Sequence, residues 1–123
     1  MSEQRTVAVL GASDNPERYA YKAIEKLTGK GFTVVPVNPT LKKVLGLPVL
    51  PSLTEIDRKL DTVTVYLSAQ RSTQIAGEII AARPGRVIFN PGAENPALEA
   101  QLDTEGIPWM HACTLVLLAT DRF

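Results

Sequence analysis

A chain of 123 residues, 45% hydrophobic and 21% charged, has the size and make-up of one compact domain with a buried core. That excludes a disordered or fibrous protein and leaves no length for a separate substrate domain. Thirteen Lys and Arg offset thirteen Asp and Glu, so no overall field draws in nucleic acid or a membrane surface, and an anionic ligand must be held by local contacts.

A single cysteine, Cys113, and a single histidine, His111, exclude an intrachain disulfide and leave too few ligands for a typical zinc site within the chain. The polar start, Met1 to Arg5, leads into only a short apolar run. Neither a signal peptide nor a membrane helix is expected, and the cytoplasm is the expected compartment.

Thr6–Leu10 is an almost continuous apolar run rich in β-branched residues and stops at Gly11, the pattern of a strand buried on both faces. After a polar loop over 12–18, Ala20, Ala23, Ile24 and Leu27 recur at helical spacing until Gly29 and Gly31. Residues 32–37 form a second strand, broken by Asn38-Pro39 because proline cannot continue the ladder. The stretch 40–52, with Gly46, Pro48 and Pro51, reads as an irregular connection leading to a short helix over 54–59.

Residues 62–67 are a third strand, and Ser72 or Thr73 is the expected cap of a helix whose apolar face is Ile75, Ala76, Ile79 and Ile80. Pro84-Gly85 closes that helix, and 87–89 is a fourth strand ending at Asn90-Pro91-Gly92. Asn95-Pro96 starts another helix, with Asn as cap and Pro at the first helical position, and Leu98 and Leu102 as its buried stripe up to Gly106. A fifth strand is expected over 107–110. Strand and helix alternate throughout 1–123, which predicts right-handed crossovers and a single-domain α/β fold: a three-layer, doubly wound parallel sheet of about five strands.

In such a sheet, ligands bind beyond the carboxyl ends of the strands, near the point where strand order reverses. The loops to inspect are 11–18, 38–43, 68–72 and 90–95. The first lacks the full glycine fingerprint of a dinucleotide fold, Ser13 and Pro16 standing at the later glycine positions. Backbone N–H groups at the following helix start can still hold a phosphate, with the Ser13 hydroxyl donating and Arg18 or Lys22 supplying charge, provided Asp14 points away. Where an NAD-binding domain presents an acid to the ribose, this chain has Asn38-Pro39 followed by Lys42 and Lys43. That counts against NAD and suits a ribose-bound phosphate, as in NADP or coenzyme A, or else a solvated charge pair.

Gly11-Ala12-Ser13 with Pro16 and Arg18, Pro36-Val37-Asn38-Pro39, Gly46 before Leu53, and Asn90-Pro91-Gly92-Ala93 with Asn95 together resemble the small coenzyme A-binding proteins of Rossmann-like fold related to the N-terminal domain of the succinyl-CoA synthetase α subunit. The resemblance covers nearly the whole chain. It implies coenzyme A as ligand, with its pyrophosphate near Gly11, Ala12 and Ser13 and its phosphorylated ribose near Lys42. Leu67, Ser68 and Ala69 would then line the adenine or the start of the pantetheine arm, and Arg18, Asn38, Pro39, Asn90 and Gly92 complete the expected site. Two departures fall in the last loops. Family members often carry Gln where Pro91 stands, and an Asp-Arg pair where His111-Ala112 precedes Cys113.

The synthetase relative performs its chemistry with a phosphorylated histidine on another domain and with a second subunit. His111 has no Asp or Glu partner close in sequence, and Cys113 reads either as a thiol that could pair with the ligand's own or, more commonly, as a small buried hydrophobe. With no nucleophile and base pair legible, binding without catalysis of coenzyme A or an acyl-CoA is the expected function. An NADP-binding oxidoreductase fragment or redox sensor is the alternative, and an interaction protein that has lost its ligand is a third reading. The apolar run 115–119 is either a last core helix or a self-association surface, so a homodimer or another protein partner stays open, while nucleic acid and membrane are not expected.

Overall fold

The structure is a computed structural model and describes residues 5–123; the polar start at 1–4 lies outside them. Five strands, β1 (Thr6–Leu10), β2 (Thr33–Val37), β5 (Thr62–Val65), β6 (Arg86–Phe89) and β7 (Trp109–His111), form one sheet in the order β2-β1-β5-β6-β7. Every pairing in it is parallel. Strand order runs outward from β1 to β2, then resumes on the other side of β1 at β5. The switch point therefore lies between β1 and β5.

Alternation along β1 shows why this segment is central. Val7 and Val9 pack into one apolar cluster with Ala20, Ile24 and Leu27, and Ala8 and Leu10 into the other with Leu53, Ile79 and Leu98. Side chains of a strand point alternately to opposite faces, so an unbroken apolar run is what burial on both sides requires. Helices α1 (Tyr19–Gly29) and α5 (Thr114–Ala119) cover one face, and α2 (Ala69–Gln74), α3 (Ala76–Ala82) and α4 (Pro96–Glu105) the other. The α1 stripe, Ala20, Ala23, Ile24 and Leu27, is buried as its spacing predicts. Asn95 caps α4 through its side chain, which accepts from the Leu98 N–H at 3.1 Å, and Gly106 closes that helix in a left-handed conformation.

Five elements differ from the sequence reading, and the first is β5, which ends at Val65 instead of running on to 67. The connection 40–52 holds an antiparallel hairpin, β3 (Lys43–Val44) with β4 (Leu47–Pro48), whose turn residues Leu45 and Gly46 both have positive φ. Such a turn matches strand twist, but Leu45 is not among the residues that announce it. The helix expected over 54–59 is only a 3₁₀ turn, Leu53–Glu55, capped by Ser52 and ended by extended backbone at Ile56. The helix expected after Ser72 begins earlier, with Ser68 as its cap, and breaks at Ile75 into α2 and α3. The α2 sequence AQRSTQ carries no apolar stripe, so periodicity could not reveal it. Last, β7 lies two residues later than expected at its start and reaches His111.

Thr114–Ala119 is a core-packed helix in which Thr114 and Leu118 are buried and Val116 is exposed. No helix of the described residues is long and apolar enough to cross a membrane.

Candidate functional site

The carboxyl ends of the strands carry all twelve residues expected at the site, and the loops that hold them are tied to one another across the sheet. Asn38, at the end of β2, donates from Nδ2 to the Ala12 carbonyl at 2.8 Å. Its Oδ1 accepts from the N–H groups of Thr40 and Leu41 at 2.8 and 3.1 Å. The Asn38 side chain thus braces two loops at once, and exposed Pro39 follows it directly.

Gly11 has φ +83°, and a Cβ there would lie 3.0 Å from Leu67 Cδ2 and 3.3 Å from the Tyr66 carbonyl carbon. Both the backbone conformation and the close approach of the β5 end demand glycine at the switch point.

From β5 the contacts pass to β6. Asn95 Nδ2 reaches the Ala69 carbonyl at 3.1 Å and Ser72 Oγ at 2.7 Å. Asn90 is buried and donates to Thr64 Oγ1 at 2.7 Å and to the Val65 carbonyl at 3.0 Å, while its Oδ1 accepts from the Thr114 N–H at 2.8 Å. Ser68 Oγ caps α2 by accepting from the Arg71 N–H at 3.3 Å. Asn38 and Asn90 therefore serve as braces with most of their polar capacity spent inside the chain, while Ser68 keeps its hydroxyl hydrogen free.

Around the first loop the free groups are different ones. The Gly11 and Ala12 N–H groups both donate to the Val37 carbonyl, at 3.2 and 3.1 Å, and the Ala12 methyl is buried. Among the described residues, the N–H groups of Ser13, Tyr19, Ala20 and Tyr21 make no hydrogen bond. Ser13 Oγ accepts from the Asn15 N–H at 3.0 Å, which leaves its own hydrogen free to donate outward. Helix α1 has no side-chain cap and no acid in its first turn, and exposed Arg18 and Lys22 stand beside that turn. Its N-terminus is an open, positively polarised set of donors, the arrangement that receives phosphate elsewhere.

Lys42 and Lys43 are exposed at the entrance of the hairpin, and Val49 N–H donates to the Lys42 carbonyl at 3.0 Å, which fixes the backbone beneath them. Gly92 has φ +91° and donates its N–H to Glu94 Oε1 at 3.0 Å. Glu94's carboxyl is held below its ordinary range, chiefly by its own backbone N–H and that of Gly92, with a smaller contribution from His111.

His111 is not solitary. Its Nε2 lies 2.7 Å from Glu99 Oε2, and Glu99, buried on α4, also accepts from the Asn95 N–H at 2.9 Å. The signal was present in the sequence as a carboxylate four residues after a helix cap, on a face that otherwise carries Leu98 and Leu102. Only the fold brings the end of β7 to it. Cys113 is a free, partly buried thiol at the start of α5.

Two concavities lie at the other edge of the sheet. One of about 430 Å³ is bounded by Leu53, Leu60 and Ala82, and one of about 150 Å³ by Arg5, Phe32 and Phe123. They face the amino ends of the strands, away from the tied loops and the open α1 terminus. Among the described residues, no group of three or more His, Cys, Asp or Glu side chains is placed to hold a metal ion.

Over residues 5–119 the sequence matches the family described as CoA binding domain. It is 31% identical over 80 residues to the uncharacterized protein YneT of Bacillus subtilis (strain 168), covering 65% of this chain and 59% of that protein. It is 27% identical over 103 residues to ADP-forming acetate–CoA ligase I of Archaeoglobus fulgidus, covering 82% of this chain and 15% of the ligase. The chain thus spans somewhat over half of one of these relatives and a small part of the other. A crystal structure of an uncharacterized protein superposes with a TM-score of 0.92 at 37% identity, over 99% of this chain and 100% of the other.

Proposed function

The chain belongs to the CoA binding domain family, and from that membership we propose that its own activity is to bind coenzyme A or an acyl-CoA at the carboxyl edge of the sheet, without turnover by this chain alone. One observation carries the reading beyond family membership. The α1 terminus at the switch point is uncapped and free of acid in its first turn, with Arg18 and Lys22 beside it. A pyrophosphate satisfies donors that otherwise face only water.

In this reading the Ser13 N–H and hydroxyl and the first-turn N–H groups of α1 meet the pyrophosphate, while Gly11 and Ala12 shape the turn. Lys42 or Lys43 meets the ribose phosphate beyond Asn38-Pro39, and Leu67, Ser68 and Ala69 flank the ligand where it crosses β5. Gly92, beside Asn90, lies further along the pantetheine arm. The cytosol suits an unpaired Cys113.

Titration calorimetry with coenzyme A, acetyl-CoA, NAD and NADP tests this. Binding of the coenzyme A compounds with a matching rise in melting temperature is expected, because a ligand that binds only the folded chain stabilises it by mass action. Binding of NADP alone would overturn it.

A further inference from the structure

Resting on the coenzyme A reading, we infer that His111 is a proton acceptor for the ligand's thiol, oriented by Glu99 so that the bound thiol is held as thiolate. Coenzyme A's nucleotide end is assigned to the β2 side by Lys42 and Lys43, and its pyrophosphate to the β1 end. The arm must then leave across β5 and β6, and His111 ends the next strand, β7. Three strand spacings of about 4.8 Å separate β1 from β7, roughly 14 Å. The pantetheine arm has the length of about four backbone residues at ~3.5 Å each, so when extended it spans the same distance.

The ring is prepared for that task. Glu99 Oε2 accepts from the Asn95 N–H at 2.9 Å and lies 2.7 Å from His111 Nε2; a carboxylate oxygen accepts, so in this assignment His111 Nε2–H is the donor. That fixes the tautomer and leaves the lone pair on Nδ1, which makes no hydrogen bond among the described residues. The His111 side chain is half exposed while that of its partner Glu99 is buried.

Phe89 and Trp109 pack edge-on and tilted against the ring, at 6.3 and 5.2 Å between centroids, and hold its plane. The charged groups on the packed elements are Glu99 on α4 and Glu94 in the loop after β6, with Asp103 engaged by Trp109 Nε1 at 2.9 Å.

The step balances without any co-reactant. The S–H bond breaks, its proton forms an N–H bond at Nδ1, the electron pair stays on sulfur, and the imidazolium charge is opposed by the Glu99 carboxylate.

The chain's single histidine makes the test direct, because its ring signal in NMR is unambiguous. Wild-type protein is saturated with coenzyme A and, separately, with desulfo-coenzyme A, in which a hydrogen replaces the thiol. Coenzyme A should move the ring to its protonated form and bring up ultraviolet thiolate absorbance at pH 7, with about tenfold more thiolate than a free thiol of ordinary pKa shows there. Desulfo-coenzyme A should do neither. His111→Gln, measured at ligand saturation, should remove the thiolate signal.

A ring indifferent to both bound ligands, or a thiolate that persists in His111→Gln, overturns the assignment. If calorimetry shows that neither ligand binds, the coenzyme A reading itself has failed, and the inference with it.

Discussion

Asn38 Nδ2 lies 2.8 Å from the Ala12 carbonyl oxygen, so the end of β2 holds the turn that follows β1. The same side chain accepts two backbone N–H bonds from its own loop. Asn38→Ala removes these three contacts and the bond from Thr40 Oγ1 at 3.1 Å, and should lower stability to urea by about 1–3 kcal/mol. Coenzyme A affinity should fall with it, because the first loop loses its brace. Unchanged stability and affinity would show that the loop keeps its shape without Asn38.

Lys42 gives a test of ligand polarity along the sheet. Lys42→Ala should weaken coenzyme A by roughly 1.5–3 kcal/mol while leaving 3′-dephospho-coenzyme A nearly unaffected, since only the former offers a charge-assisted contact. Lys43→Ala, one residue on, serves as the comparison. Calorimetry with the two ligands separates them. Equal losses for both ligands in both variants would show that neither lysine meets the 3′-phosphate.

Tyr66 predicts an alkaline instability. Its hydroxyl is buried and makes no hydrogen bond among the described residues, the neighbouring Thr64 and Thr114 hydroxyls being 2.7 Å from each other. Burial pushes its pKa from 10.0 up to about 12, with Cys113 adding to the rise and the two threonines opposing it. Because the folded value is the higher one, the contribution is complete below pH 10. It is lost between about 10 and about 12, where the unfolded chain releases the proton first. The full loss is about 2–3 kcal/mol. Tyr66→Phe should be flatter than wild type over that window in denaturant titrations, with neutral-pH stability equal or slightly raised. Parallel profiles for the two proteins would contradict the account.

What the sequence made legible follows the physics of each element. β1 and α1 were readable because burial on both faces, or on one stripe, imposes a pattern that no other structure shares. The cap at Asn95 was readable because Asn-Pro has one favourable use at a helix start. The hairpin at Leu45 and Gly46 was hidden because its two strands are two residues long and a leucine occupies a left-handed position. At the site, Gly11 stood out in the sequence, but its reason did not, since Leu67 approaches it only after β5 pairs with β1. The pairing of His111 with Glu99 was invisible for the same reason. Separation along the chain says nothing about two residues that meet where a helix begins and a strand ends.

The placement of β1 between β2 and β5 also governs how the chain assembles as it is made. One ladder of β1 closes once residues 33–37 emerge from the ribosome, but the other waits for Thr62, which pairs with Val7. At about 5–20 residues per second, that interval from Leu10 to Thr62 lasts roughly 3–10 s. Throughout it the most apolar strand of the sheet presents an unpaired edge. The nascent first half is therefore the stage at which this protein most needs shielding by a chaperone or by the ribosome surface.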